Sequence, residues 1–213
     1  MSDDNKIKLG EQLVRCVLDD KLSNDKKLKK MDYIIKMGGD INAESGLGFS
    51  VLSLAKMMNN NEIASFLEKE GADDIGFDKE KAEEFFKSAS VEEINRALKV
   101  LPDGYELNCC VDLSKRDLTE LPDFSRVVIK GDFYCEENQI DSLERAPREV
   151  TGDFYCYGNQ LTTLRGVPSI VGGDFNCLNN PLENYNGKPD KIGGTFIAPK
   201  IEQINNINGG NSR

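Results

Sequence analysis

Gly152-Asp153-Phe154-Tyr155-Cys156-Tyr157-Gly158-Asn159-Gln160-Leu161 is the stretch that decides how this chain folds, because its pattern occurs three times at one interval. Gly131-Asp132-Phe133-Tyr134-Cys135-Glu136-Glu137-Asn138-Gln139-Ile140 precedes it, and Gly173-Asp174-Phe175-Asn176-Cys177-Leu178-Asn179-Asn180-Pro181-Leu182 follows. Phe133, Phe154, Phe175 and Phe196 are 21 residues apart, and the Cys and Asn series keep the same interval. Pro147, Pro168 and Pro189 end the units. A fixed period of this length is the signature of a solenoid, in which each unit buries its neighbour's apolar face and none is stable alone.

The spacing assigns each position a side. Phe and Cys two residues apart point to one side of a short strand, so both face a core. Cys135, Cys156 and Cys177 would stand about 5 Å apart, but Leu113 and Ala198 take the flanking rungs and a fourth metal ligand is lacking. They are expected to act as small core hydrophobes. Asn138, Asn159 and Asn180 are expected to stack as a ladder that hydrogen-bonds main-chain groups without a strand partner.

Tyr134, Tyr155 and Tyr157 alternate with the inward residues and are expected on one exposed strand face, beside Glu136, Glu137, Asn176 and Leu178. Tyrosine offers a large contact area with a polar tip, so this face is either a recognition surface or a set of cross-strand packing pairs. Asp132, Asp153 and Asp174 form a further ladder, expected on the outward side. Neighbouring carboxylates about 5 Å apart repel by roughly 0.8 kcal/mol in water, a tolerable cost. They either stay solvated or bonded within turns, or bind a basic partner or a cation.

The unit Gly-Asp-Phe-x-Cys-x-x-Asn-x-Leu/Ile-x-x-Leu resembles the leucine-rich repeat, L-x-x-L-x-L-x-x-N-x-L at roughly 20–29 residues per unit. Phe154, Cys156, Asn159 and Leu161 fill four of its places in order, and Leu164 continues the apolar run. The length and closing proline resemble the short repeats of bacterial effector proteins, and the Gly-Asp-Phe-x-Cys variant resembles repeats of bacterial and phage proteins. The resemblance implies a short-stranded parallel sheet whose strand face recognises a protein.

Nearer the N-terminus, Met31 to Ala43 resembles the end of an ankyrin repeat, where a helix runs into a Gly-Ala-Asp-Val-Asn turn. Ser50-Val51-Leu52-Ser53-Leu54-Ala55 stands where that family has Thr-Pro-Leu-His-Leu-Ala, with Val51 for the proline and Ser53 for the histidine. Glu62-Ile63-Ala64 to Gly71-Ala72-Asp73 supplies the next helix and turn, and Gly38 to Gly71 is 33 residues, the ankyrin period. Read from the residues, Gly38 and Gly71 are left-handed helix ends and Ser50 is an N-cap. Leu52, Leu54, Ala55, Ile63, Phe66 and Leu67 form the apolar strip, and the ankyrin resemblance implies a projecting turn over Asn42 to Leu47. Apolar spacing predicts helices over Ile7–Leu22 and Lys26–Met37. No third matching unit follows Asp74 and at least three are normally needed, so this part is expected to lean on the next.

Lys79–Ser88 and Val91–Val100 read as two helices, the second opened by a Ser90/Glu93 capping box and closed by Leu101-Pro102-Asp103-Gly104. They are expected to cap the array and dock the N-terminal helices. The first turn of the array is irregular, with Val111, Leu113, Leu118 and Leu121 at an offset of 22 and Arg116 in the Asn place. At the far end Phe196-Ile197-Ala198-Pro199 lacks the Asn, and Pro199 stops ladder growth. Ile201 and Ile204 are expected to cover the exposed strip.

The expected fold is an α/β repeat solenoid. It comprises an all-α ankyrin-like stack over 1–76, a helical junction and cap over 77–110, a leucine-rich array with a short-stranded parallel sheet over 111–205, and a disordered tail over 206–213.

Composition bounds the role. The formal net charge is -10 with a pI near 4.7, which opposes direct nucleic-acid binding and anionic membrane surfaces. The absence of histidine removes the commonest general base and zinc ligand. Six cysteines without a signal-like segment, the early apolar run being broken by Arg15, Asp19 and Asp20, place the chain in the cytoplasm, of a host cell if it is an effector. No nucleophile stands with a base, and Gly172-Gly173 belongs to a repeat turn rather than a phosphate loop. The expected function is a noncatalytic protein-interaction module, an adaptor or effector, without cofactor or metal and favouring a monomer. It would bind a partner protein through Tyr134, Tyr155, Tyr157, Asp132, Asp153, Asp174, Glu136 and Leu178. The alternative is an acidic inhibitor or nucleic-acid mimic, of phage or effector origin, whose carboxylates block the basic groove of a target enzyme.

Overall fold

The computed structural model describes residues 3–201; the expectations for Ile204 and for the 206–213 tail fall outside them. Helices come first: α1 (Asp3–Leu18), α2 (Asn24–Lys36), α3 (Val51–Met57), α4 (Asn61–Lys69), α5 (Lys79–Ser88) and α6 (Val91–Leu98). Short strands follow: β1 (Tyr105–Leu107), β2 (Val111–Asp112), β3 (Val127–Ile129), β4 (Phe133–Tyr134), β5 (Glu149–Val150), β6 (Phe154–Tyr155), β7 (Ile170–Val171), β8 (Phe175–Asn176), β9 (Lys191–Ile192) and β10 (Phe196–Ile197). They wind into a parallel β-solenoid of about four turns with a 21-residue spacing.

The helical segments follow local signals. Ser50 accepts from Ser53 N–H and Asn60 from Ile63 N–H at the starts of α3 and α4, and Ser90 with Glu93 makes the full capping box of α6. Gly38 and Gly71 have φ of 84° and 90°, the left-handed end that only glycine adopts freely. Within α1, a side chain at Gly10 would bring Cβ to 2.8 Å from Ala43 Cβ. Gly10 is therefore a close-packing position inside the helix. The 42–47 turn projects less than the ankyrin resemblance implies, because Leu47 is buried in the core.

The array departs from the expected single sheet. Each coil contributes two strands, giving one sheet ordered β1-β3-β5-β7-β9 and another ordered β2-β4-β6-β8-β10. The extra strand comes from the residues before each Gly-Asp corner, where Leu107, Ile129, Val150, Val171 and Ile192 stand in register and turn inward. The first sheet consequently begins at Tyr105, ahead of the expected start at 111, because Tyr105 and Leu107 pair with Val127 and Ile129. In the second sheet Phe133, Phe154, Phe175 and Phe196 are in register.

One apolar cluster extends from Leu13 to Leu182. An aromatic spine runs through it, with ring centroids 5.7 Å apart for Phe86–Phe124, 5.1 Å for Phe124–Phe133, 5.4 Å for Phe133–Phe154, 5.7 Å for Phe154–Phe175 and 5.5 Å for Phe175–Phe196. Phe86 belongs to α5, so cap and array share a core. Arg116, in the place of the missing Asn, donates to the Phe86 and Ala89 carbonyls at the end of α5. The first coil has no preceding coil to bond and uses the helix end instead.

Polar side chains lock coil to coil. Asn159 is 3% exposed; its amide donates to the carbonyls of Cys135 and Cys156, and its oxygen accepts the Ile140 N–H at 3.0 Å. Asn180 repeats this arrangement against Cys156, Cys177 and Leu161, and Asn138 against Leu113, Cys135 and the N–H groups of Arg116 and Leu118. The residue before each Asn turns through the left-handed region, with φ of 53° at Glu137, 67° at Gly158 and 54° at Asn179. Replacing Asn159 by Ala leaves the Ile140 N–H without an acceptor inside the core. Urea unfolding is expected to show a loss of about 2–4 kcal/mol, against a change within about 0.5 kcal/mol for the exposed neighbour Gln160→Ala.

Candidate functional site

The outward face of the second sheet collects the aromatic and acidic residues. Along one row stand Asp112, Tyr134, Tyr155, Asn176 and Ile197, each the register partner of the next. Two residues further along each strand, Ser114, Glu136, Tyr157 and Leu178 lie on the same face by the alternation of a strand. All these residues are partly exposed, while Phe133, Phe154, Phe175 and the cysteines between them are buried.

The cysteines do no work on this face. Cys135, Cys156 and Cys177 are enclosed and free, and burial pushes the Cys177 thiol up to about 12 and those of Cys135 and Cys156 upward as well. Among the described residues no cluster of three Cys, Asp, Glu or His side chains has a geometry to hold a metal.

The phenols are organised by one another and by acids. Tyr134 and Tyr155 meet edge to face at 5.5 Å, and Tyr155 and Tyr157 lie 6.5 Å apart. The Tyr134 hydroxyl donates to Asp132 Oδ2 at 2.9 Å and that of Tyr157 to Glu137 Oε1 at 3.4 Å. Burial, and then the neighbouring carboxylates, raise all three phenols above their ordinary range. The face thus offers neutral ring edges framed by carboxylates, with Lys115, 3.7 Å from Glu137, as a nearby cation. Cross-strand packing of these tyrosines is present, and they remain partly exposed.

Asp132, Asp153 and Asp174 sit half-buried at the corner between the two sheets, where each bonds the next coil. Asp132 Oδ1 accepts the Asp153 N–H at 2.8 Å, Asp153 Oδ1 the Asp174 N–H at 2.7 Å, and Asp174 Oδ1 the Thr195 N–H at 2.7 Å. This is a turn-bonding ladder, and charge-assisted bonds of this kind outweigh the mutual repulsion. It also accounts for Gly152 and Gly173 before Asp153 and Asp174, and for Gly194 before Thr195, whereas Gly131 lies against the Cys109 carbonyl. A Cβ at Gly152, Gly173 or Gly194 would come within 2.0, 2.1 or 2.3 Å of the preceding coil's Asp Oδ1. Gly and Asp are thus coupled across coils, a relation that their joint recurrence in the sequence carried and that local reading missed.

Glu136 differs from its neighbours. Its Oε2 is buried without a hydrogen-bond partner among the described residues, and burial, reinforced by the charges of Asp112 and Glu137, raises its carboxyl. Leu178 and Ile197 add apolar surface at the C-terminal side of the same face. No family model, no curated protein and no solved structure matched the chain.

A raised folded-state pKa at Glu136 means that the native protein holds its proton more tightly than the unfolded chain. That contribution is complete below the unfolded value and is lost as pH rises through the folded one. Glu136→Gln is therefore expected to raise the thermal midpoint at pH 7, with the gap to wild type closing as pH falls toward about 4. A gap independent of pH would contradict the assignment.

Proposed function

We propose that this protein is a noncatalytic interaction module that binds a partner protein through the outward face of the second sheet. The observation that supports this best is the cluster of Tyr134, Tyr155 and Tyr157, partly exposed and packed ring against ring, on coils that are locked together by hydrogen bonds. Aromatic anchors on a rigid support lose little freedom on binding, which favours affinity. Asp132, Asp153, Asp174 and Glu136 would frame the contact and Leu178 would extend it.

We further read α1 to α4 as degenerate ankyrin-like units, on the strength of the 33-residue return of Gly38 and Gly71. We read the coils as a leucine-rich type of repeat, on the strength of the buried Asn ladder. The second strand of each coil departs from the strand-plus-helix unit of that family. A cytoplasmic site of action accords with six free cysteines, and among the described residues no helix is long and apolar enough to cross a membrane. The acidic-inhibitor reading has less support, because one oxygen of each ladder aspartate is already engaged by a main-chain N–H.

The test places a photo-crosslinking residue at Tyr155 or, on the other sheet, at Ile170, and adds a Tyr134/Tyr155/Tyr157→Ser variant checked for folding by circular dichroism. Partners should crosslink from position 155 and not from 170, and the triple variant should weaken capture by about tenfold or more. Equal capture by wild type and the folded variant would contradict the proposal.

A further inference from the structure

In an acidic chain, a groove of about 370 Å³ between α6 and the corner that leads into the first sheet collects cations. Asn95 and Leu98 line it from α6 and Lys99 from its C-cap, Asp123 and Arg126 from the segment before β3, Val127 from the start of β3, and Arg145 from the segment before β5. The hydrogen bonds around it leave donors unspent. Asn95 uses its side-chain oxygen on the Asp123 N–H, 2.6 Å away, so its NH2 end has no bond among the described residues. Lys99 makes no ion pair among them. Arg126 reaches Asp103 only at 3.8 Å and the Leu101 carbonyl at 3.5 Å. Arg145 spends one terminal nitrogen on Glu120 and Leu121.

The acceptors nearby are engaged in part, and the Asp123 carboxylate, whose Oδ2 has no bond among the described residues, also lines the groove. Asp123 Oδ1 receives the Ser125 N–H and hydroxyl at 3.1 and 2.6 Å, and Asp103 is held by Arg148 at 2.7 Å. At the end of α6 the Leu98 carbonyl accepts the Leu101 N–H, which satisfies one of the helix's end carbonyls. Four donor groups, three of them charged, therefore share one groove with a single carboxylate, Asp123, and apolar side walls at Leu98 and Val127.

We propose that this groove binds the phosphate group of a small molecule, either free phosphate or a phosphomonoester. Two guanidiniums and an ammonium match a tetrahedral oxyanion, and the volume lies in the range of small-ligand sites, about 300–1,000 Å³. The site is separate from the tyrosine face and does not depend on the function proposed for it.

The full chain is titrated calorimetrically with inorganic phosphate and with ribose 5-phosphate, at ionic strength held constant with chloride. Saturable binding is expected, weakened about tenfold by Arg126→Gln and by Lys99→Gln and unchanged by Tyr155→Ala. Tighter binding of the sugar phosphate assigns a phosphomonoester, and equal binding assigns free phosphate. Arg126 also contacts the main chain, so if Arg126→Gln fails to fold, Lys99→Gln at the exposed helix end decides the matter. Absence of saturable binding to wild type, or equal affinity in wild type and a folded Lys99→Gln, would overturn the proposal.

Discussion

A buried main-chain N–H must find an acceptor, and in this fold a side-chain oxygen one coil away supplies it. A chain that returns on itself every 21 residues bends at corners where main-chain groups leave the strand ladders while still inside an apolar interior. Each such group left unpaired costs about 1–3 kcal/mol. Asn138, Asn159 and Asn180 meet this demand by bonding their own coil and the preceding one together. An Asn amide has a donor and an acceptor end on one short stem, so no apolar residue can stand in for it. The ladder thereby fixes how coils stack, and with it the phenyl spine inside and the phenol row outside.

The same demand explains how the array begins and ends. At the first coil Arg116 replaces the Asn and reaches the α5 carbonyls, while Cys110 takes the Asp place and its sulfur accepts the Asp132 N–H at 3.4 Å. Helix α5 thus serves as the missing coil, adding Phe86 to the spine. At the last coil Phe196 is covered on its outer side by Tyr185, at 5.4 Å, and by Lys188 Nζ, 4.3 Å from the ring centroid. A cation over an aromatic face is an economical cover, since it keeps its charge in water while shielding carbon.

Much of this was written locally and therefore legible. Phe154 and Cys156 two apart, Asn159 three further on and Ser90 before Glu93 each carry their own explanation within a few residues, and each stands where that explanation puts it. The second sheet was not legible in that way. A two-residue strand such as Glu149–Val150 is too short to show a period, and its signal lies only in the 21-residue return of Ile129, Val150, Val171 and Ile192. The Asp ladder was half legible: its spacing was plain, but its acceptors serve N–H groups 21 residues away. The orphaned oxygen of Glu136 and the cationic groove were not legible at all. Both arise from packing between segments that sequence order keeps apart.

Native-state hydrogen exchange at the Ile140 and Leu161 amides tests the central claim most directly, because neither donates to a strand and both are assigned to Asn side chains of the following coil. The account predicts that they open with the same free energy as the Phe154 amide inside the second sheet, through global unfolding alone. Exchange of Ile140 and Leu161 at the rates of exposed loops, with Phe154 still protected, would contradict it.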